Sequence, residues 1–225
     1  MKLVKIYSIG QSKFEDTYNL QISLFNKLIE NNEKYVGYII FCEHYHVITI
    51  GLHANTKNLK VNEDVLAKKN ISLIKTDRGG DITYHGFGQL ICYPILNLKR
   101  INIGPKLYVS LLENSVINTL KEYDLEAYSK PKTAGVWIIS KKNKTEKKIC
   151  SIGIRISKGI TLHGLALNVN TDLSYFNFIN PCGLASESMT SMANELNKII
   201  PLKEVEKKLF LNILKIFNLD HEIIN

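Results

Sequence analysis

The sequence predicts an α/β fold in which one mixed β-sheet is flanked by helices. Short apolar segments rich in β-branched residues lie between longer segments whose apolar residues recur at helical spacing. Of the 225 residues, 45% are hydrophobic and 22% are charged, as is ordinary for a globular domain with an ample core. No repeat and no linker rich in proline, glycine or serine divides the sequence. We therefore expect a single domain over residues 1–225.

Strands are predicted where a short apolar run is bounded by turn-forming residues. Residues 35–51 contain two such runs, joined by a turn near residues 43–46 and stopped by Gly51. Five further runs are expected to form strands: residues 71–77, 89–98, 134–140, 147–157 and 163–170.

Helices are predicted where apolar residues recur every three or four positions. Residues 14–32 have this spacing and end at two asparagines, which favours an amphipathic helix. The apolar stripe of this helix is expected to consist of Tyr18, Ile22, Phe25 and Ile29. Three more helices are expected over residues 107–123, 188–196 and 202–217.

Nothing in the sequence predicts export, a membrane span or a metal site. The first eleven residues lack the apolar run of a signal peptide, and the best apolar run, residues 35–42, is too short to cross a bilayer. The cysteines form no C-x-x-C pair, which argues against a zinc site and a disulfide framework. We expect a cytoplasmic protein with no cofactor, no metal and four free thiols, at Cys42, Cys92, Cys150 and Cys182.

The net charge of +8 indicates acidic partners, which include nucleic acid, anionic lipid and acidic proteins. Residues 141–148, KKNKTEKK, supply five of the positive charges. This run has no interleaved aromatic residues, so nucleic-acid binding is weakly supported. A general effect on solubility explains the charge equally well.

A glycine-rich stretch, DRGGDITYHGFGQL, occupies residues 77–90 between two predicted strands. Glycines at such a place either connect strands tightly or let a ligand approach the backbone. The stretch has neither the GK[ST] ending of a P-loop nor the Rossmann spacing of glycines. Its density of polar side chains favours a ligand loop, with Arg78, Asp81, Thr83, His85 and Gln89 close together in sequence.

Cys182 is the best candidate nucleophile because it stands in a Pro-Cys-Gly turn, where its side chain is poorly shielded. Ser186 or Ser188 is expected to cap the helix that follows, and the positive end of a helix dipole favours a thiolate. Cys150 is a rival, since it lies two residues from Lys148 on the same predicted strand face, but a strand interior leaves little room for an acyl group. A buried structural thiol is the alternative, and it fits the two cysteines inside apolar strands, Cys42 and Cys92.

Three segments together carry a family resemblance: residues 77–90, residues 146–170 (EKKICSIGIRISKGITLHGLALNVN) and residues 179–184 (INPCGL). In this order they resemble the signature blocks of the bacterial octanoyltransferases of lipoate biosynthesis, the lipoyl(octanoyl) transferase B family. The similarity covers residues 46–183, most of the chain. The resemblance implies the fold of the biotin/lipoate protein ligase catalytic domain.

By the same resemblance, the protein moves octanoyl from acyl carrier protein to a lysine of a lipoyl domain. Cys182 is expected to carry the acyl group as a thioester, and Lys148 is expected to be the acid/base residue. The implied acceptors are the lipoyl domains of 2-oxoacid dehydrogenase E2 subunits and the glycine cleavage H protein, with neither nucleic acid nor membrane as a partner. The implied substrate-binding residues are Arg78, Gly79, Gly80, Asp81, Ile82, Thr83, Tyr84, His85, Ser151, Ile152, Gly153, Gly164, Leu165 and Ala166.

The chemistry of acyl transfer gives these residues a purpose. A Lys148 ammonium favours the Cys182 thiolate, and its proton can pass to the leaving thiol. Side chains alternate along a strand, so only one of Lys147 and Lys148 can enter the cleft. The alternative interpretation of either lysine is a solvent-exposed charge with no role in catalysis. Small residues in the substrate-binding segments would let the acyl chain lie against the backbone. His85 and His163 either orient polar groups in the site or have a structural role.

Two features depart from the family pattern, since Phe87 stands where proline is usual and the hairpin before Lys148 is long and basic. The nearest alternative function is an ATP-dependent lipoate or biotin ligase on the same fold, although adenylate chemistry needs no thiol. A cysteine hydrolase and a carrier-protein-binding module without catalysis are further alternatives. The presence of both Lys148 and Cys182 argues against the last.

Overall fold

A mixed β-sheet of eight strands forms the centre of the fold in the computed structural model, which describes residues 2–30, 34–181 and 188–222. The strands of the described chain are β1 (Leu3–Ser12), β2 (Gly37–His44), β3 (Val47–Ile50), β4 (Ser72–Lys75), β5 (Ile82–His85), β6 (Gln89–Leu96), β7 (Ala127–Lys130), β8 (Thr133–Ile139), β9 (Glu146–Ser157), β10 (Ile160–Asn168) and β11 (Asp220–His221). The large sheet has the order β11-β1-β2-β6-β10-β9-β8-β7. Strand β1 is parallel to β2 and β11, and the other neighbours are antiparallel.

Three strands, β4-β3-β5, form a second, smaller sheet, whereas the sequence pattern predicts a single sheet. The turn at residues 45–46 ends β2, and β3 then pairs with β4 and β5 instead of remaining in the large sheet. The predicted turn near residues 43–46 is confirmed, and so is the α/β class with a mixed sheet flanked by helices.

Helices cover both faces of the large sheet. They are α1 (Phe14–Glu30), α2 (Glu63–Lys68), α3 (Leu98–Ile101), α4 (Pro105–Lys121), α5 (Met192–Leu196) and α6 (Leu202–Phe217), with 3₁₀ turns at Thr56–Asn58 and Leu173–Phe178. Alternation along β2 gives each face its own core, since Ile39 and Phe41 pack with α4 and α6 while Tyr38 and Ile40 pack with α1. Within the described residues, no helix is both long and apolar enough to cross a membrane.

The buried face of α1 differs from the predicted stripe. Its buried residues are Phe14, Thr17, Gln21, Leu24 and Leu28, whereas Ile29 is exposed. The predicted face is therefore wrong by about one residue. A polar residue occupies the centre of the true face because Gln21 Oε1 accepts the main-chain N–H of His163 at 2.8 Å.

The helix predicted over residues 188–196 is shorter than expected. It begins at Met192, and Ser191 caps it by accepting the N–H of Asn194 at 3.2 Å. Capping by Ser188 is wrong because the next residue, Met189, forms a β-bridge to Lys148. Ser186 and Cys182 lie outside the described residues.

Candidate active site

A narrow pocket lies between the large sheet and the small sheet, with about 40 Å³ of open space. The wall from the small sheet comes from β5 and the loop before it, and the wall from the large sheet comes from β6, β9 and β10. Helix α1 contributes one side chain. The lining residues are Phe14, Arg78, Gly80, Asp81, Thr83, His85, Tyr93, Lys148, Ser151, Ile152, Gly153, His163, Gly164, Leu165 and Ala166.

The structure thus gathers Lys148 and most of the predicted substrate-binding residues around one space. Two of the predicted substrate-binding residues, Ile82 and Tyr84, do not line the pocket. Side chains alternate along β5, and these two point into the core of the small sheet. A third, Gly79, connects the walls instead, since its N–H donates to the carbonyl of Ile154 at 2.8 Å. Phe14 and Tyr93 also line the pocket, although no sequence motif points to them.

The glycine at Gly153 serves the contact between the two walls. A Cβ there would lie 3.0 Å from the carbonyl oxygen of Gly79 and 3.1 Å from Cδ of Arg78. The space beside this glycine is therefore occupied by the protein itself. The expectation that small residues leave room for the acyl chain does not hold at this position, where glycine instead lets the loop approach β9.

Arg78 fastens the glycine-rich loop to β3. Its side chain is 7% exposed, and Nη2 donates to the carbonyl and the hydroxyl of Thr49 at 2.8 and 2.9 Å. Its Nε also donates to the Thr49 hydroxyl, at 3.2 Å. Arg78 therefore shapes the pocket by fixing the backbone of residues 78–81.

His85 connects this loop to the far wall of the pocket. Burial lowers the pKa of His85 to about 3, so its ring is neutral at pH 7. Nδ1 lies 2.8 Å from Gln89 Oε1 and must be the donor, which leaves Nε2 as an acceptor facing Thr49 Oγ1 at 3.4 Å. Gln89 in turn donates to Asn168 Oδ1 at 2.8 Å, and Asn168 donates to the carbonyl of Thr190 at 3.0 Å.

Asp77 organises the end of the pocket at Phe14. Its carboxylate accepts hydrogen bonds from His163 Nε2 at 2.6 Å, from the hydroxyl of Tyr18 at 2.7 Å and from Arg155. Burial raises the pKa of Asp77, but these partners outweigh that effect and hold it below its usual value. Burial also lowers the pKa of His163, against the effect of Asp77. Both pocket histidines therefore have hydrogen-bond partners.

Lys148 is almost fully buried, with 3% of its surface exposed, and Lys147 beside it is half-buried. The register of β8 and β9 pairs Trp137 with Lys148 and Ile138 with Lys147, so adjacent lysines point to opposite faces as alternation predicts. Lys148 Nζ lies 5.4 Å from the centre of the Trp137 ring. The solvated-charge alternative does not describe this lysine.

A β-bulge separates Lys148 from Cys150. The register shifts so that these residues pair with Trp137 and Val136, which are successive residues of β8. Lys148 and Cys150 therefore face opposite sides of the sheet, and the expectation that they share a face is wrong. Cys150 lies in the hydrophobic core, and burial raises the pKa of its thiol to about 12.

The other described cysteines are also buried. Burial raises the pKa of Cys42 and of Cys92 above the ordinary range of a thiol. The predicted nucleophile, Cys182, lies outside the described residues. Met189 follows it by seven positions in the sequence and pairs with Lys148, and the N–H of Thr190 donates to the carbonyl of Lys148 at 3.0 Å. The described chain has no group of three His, Cys, Asp or Glu side chains that could hold a metal ion.

Comparison with known proteins agrees with this architecture. The sequence profile of the lipoyl protein ligase A/B catalytic domain matches residues 15–213. The chain belongs to that family. It is 43% identical over 208 residues to an octanoyltransferase of Bacteroides thetaiotaomicron, with 91% of each chain covered. It is 38% identical over 226 residues to an octanoyltransferase of Christiangramia forsetii, with 96% of each covered.

The lipoyl protein ligase A/B fold is also found by structural similarity. Lipoate-protein ligase A bound with ATP superimposes with a TM-score of 0.72 at 19% identity, covering 100% of this chain and 89% of that one. Biotin protein ligase from Aquifex aeolicus in complex with biotin and ATP gives 0.53 at 18% identity, covering 96% and 70%. At these identities the likeness shows the fold alone. The relatives of higher identity place the chain with the octanoyltransferases, and it is therefore an acyltransferase.

Proposed function

We propose that the protein transfers octanoyl from octanoyl-acyl carrier protein to a lysine side chain of a lipoyl domain, through a thioester on Cys182. The observation that carries this proposal is the burial of Lys148 in the wall of a narrow pocket, in a chain whose relatives are octanoyltransferases. Burying a lysine is costly, and a lysine held in a pocket wall is suited to moving protons. Residues 1–225 act as one catalytic domain in this proposal.

Cys182 is the proposed nucleophile because the other thiols are poorly suited. Cys42, Cys92 and Cys150 are buried, and their raised pKa values keep them protonated near neutral pH. The protonated thiol is a weak nucleophile, whereas the thiolate is the reactive form. The position of Met189 beside Lys148 further supports a site that joins Lys148 to the segment following Cys182.

In the first step, the Cys182 thiolate attacks the carbonyl carbon of the donor thioester. The bond between that carbon and the carrier's sulfur breaks, and the leaving thiolate takes a proton from the Lys148 ammonium. In the second step, the neutral amine of the acceptor lysine attacks the new thioester. The bond to Cys182 breaks, restoring its thiolate, and the proton lost by the amine returns to Lys148.

The pocket is assigned to the acyl chain. Most of the surface that faces the open space is apolar, as an alkyl chain requires, and the lining also includes polar side chains such as Thr83, His85 and Lys148, which suit its single carbonyl. We assign substrate contacts to the predicted residues that line it except Gly153, and a supporting role to Gly79, Ile82, Tyr84 and Gly153. Open space of about 40 Å³ holds only a few water molecules, so lining side chains must move when an octanoyl group enters.

The proposed partners are an acidic carrier protein and acidic lipoyl domains, for which the net charge of +8 provides long-range attraction. The archaeal lipoate protein ligase of Thermoplasma acidophilum, studied together with its E2 lipoyl domain, shares the fold with a TM-score of 0.72 at 19% identity. Lipoyl domains of E2 subunits and the glycine cleavage H protein are the proposed acceptors, in the cytoplasm.

The test is to incubate the protein with octanoyl-acyl carrier protein and an unmodified lipoyl domain, without ATP, and to weigh all products. We expect one octanoyl group on the lipoyl domain, because the donor thioester already carries the activation that a ligase must create. Transfer that occurs only with ATP and magnesium would establish the ligase function instead.

A further inference from the structure

Glu113 is a buried carboxylate that the proposed mechanism does not use. It lies on α4 with 8% of its surface exposed, although α4 is mostly an ordinary amphipathic helix. Its Oε1 accepts the main-chain N–H of Gly135 in β8 at 3.0 Å. Carboxylates are rarely buried without a specific partner, so this contact needs an explanation beyond helix packing.

Gly135 lies between Glu113 and Lys148. A Cβ on this glycine would stand 2.5 Å from Lys148 Cε and 3.1 Å from Lys148 Nζ. The lysine side chain therefore crosses the bare main chain of Gly135, which also has the unusual φ of +137°. Because Glu113 accepts a hydrogen bond from the N–H of Gly135, it fixes the main chain against which the Lys148 side chain packs.

Charge points to the same relationship. A buried ammonium is costly unless a negative group lies near it. Among the described residues, Lys148 makes no ion pair within 4.0 Å, and the carboxylate of Glu113 contacts the same glycine as the lysine side chain. Burial raises the pKa of Glu113, while the Gly135 N–H and the charge of Lys148 oppose that rise. The net pKa of Glu113 is raised, and the charge of Lys148 favours the ionised carboxylate across one glycine.

We propose that Glu113 is a positioning residue for Lys148, holding the main chain at Gly135 and supplying the negative charge that keeps the lysine ammonium at the pocket wall. The inference rests on the proposed role of Lys148. It assigns a role in the reaction to a helix that contributes none of the three signature segments.

The test compares wild type with Glu113→Gln, which keeps an oxygen for the Gly135 N–H and removes the charge. Glu122→Gln is the matched control, because it removes a carboxylate at the end of the same helix, where the side chain binds Asn212 and Lys208 of α6. Four quantities are measured for each variant: kcat and KM with octanoyl-acyl carrier protein, Tm, and the rate at which acetic anhydride modifies Lys148, which is followed by peptide mass spectrometry.

We expect Glu113→Gln to lower kcat about 10- to 100-fold, the scale of one lost contact to a charged group, with KM within about twofold of wild type. We also expect Lys148 to be modified several-fold faster, because a neutral acceptor holds the Gly135 N–H less firmly and the lysine that rests on this main chain becomes freer to move. Glu122→Gln should match wild type in kcat and in Lys148 modification. Glu113→Ala, which removes the acceptor as well, should lower kcat at least as far.

A Glu113→Gln variant with wild-type kcat and wild-type Lys148 modification overturns the inference. So does a loss of kcat that is accompanied by a raised KM and a Tm far below that of Glu122→Gln, because that pattern indicates a purely structural role. The proposed function fails differently, either through an inactive wild type or through a Lys148→Ala variant as active as wild type.

Discussion

Lys148 crosses Gly135 so closely that a Cβ on the glycine would stand 2.5 Å from Lys148 Cε. The same Cβ would lie 2.6 Å from the main-chain carbonyl oxygen of Cys150. We predict that Gly135→Ala displaces both the lysine side chain and the β9 main chain that carries it, and lowers the transfer rate at least about tenfold, toward the loss expected for removing an acid/base group. Steady-state kinetics with octanoyl-acyl carrier protein measure this effect.

Backbone strain must be separated from displacement of the lysine, because Gly135 has a φ that favours glycine. Gly159→Ala controls for the unfavourable φ alone, since Gly159 has φ +82° and the nearest atoms to its Cβ would belong to the flexible side chain of Lys99, at 3.1 Å. Both variants should lose stability, and only Gly135→Ala should lose activity. Equal activity in the two variants would mean that the Gly135 contact does not position Lys148.

The two adjacent lysines of β9 should differ sharply in importance. Lys148 is 3% exposed and lines the pocket, whereas Lys147 points to the opposite side of the strand. We predict that Lys148→Ala lowers kcat about 100- to 10,000-fold and that Lys147→Ala keeps most activity. Small, equal losses from both would remove the acid/base role from Lys148.

Strand alternation made the placement of Lys147 and Lys148 predictable from sequence, because their pairing with β8 is regular. The relation of Lys148 to Cys150 was not predictable. A bulge inserts one residue between them, and nothing in the local pattern KKIC signals it.

Contacts between distant segments were likewise hidden from the sequence. Asp77 meets Tyr18 of α1 and Arg155 of β9, which are far apart in the chain. The face of α1 was assigned wrongly because Gln21 occupies a core position for its hydrogen bond to the main chain of His163, whereas periodicity counts only apolar residues. The small sheet was missed because a short apolar strand carries no information about the sheet it joins.

Stability should fall in mild acid because His44 is buried in its neutral form. Its side chain is fully buried, Nδ1 donates to the carbonyl of Ser12 at 3.1 Å, and Nε2 accepts from the hydroxyl of Tyr93 at 2.8 Å. Burial lowers the pKa of His44 to about 4, below the value of about 6.5 expected in the unfolded chain. Between these values the unfolded state binds a proton that the folded state does not.

Stability is therefore fully present above about pH 6.5 and declines as the pH falls toward 4, by roughly 3 kcal/mol from this residue. Urea unfolding between pH 7 and pH 4.5 should show a smaller slope against pH in His44→Gln than in wild type. His221→Gln, at an exposed position, should retain the wild-type slope. An unchanged slope in His44→Gln would show that folding does not lower the pKa of His44, and it would contradict the prediction.

Cys182 should be the cysteine that carries the acyl group. With octanoyl-acyl carrier protein and no acceptor, the protein should gain one octanoyl mass, about 126 Da, which hydroxylamine removes as it removes thioesters. Cys182→Ser should form no such thioester. Cys150→Ala should still form it, because Cys150 is buried on the face away from Lys148 and its thiol has a pKa of about 12. Intact-protein and peptide mass spectrometry locate the adduct. An adduct that persists in Cys182→Ser and vanishes in Cys150→Ala would show that Cys150 carries the acyl group, on the face of β9 opposite Lys148, and would contradict the proposed mechanism.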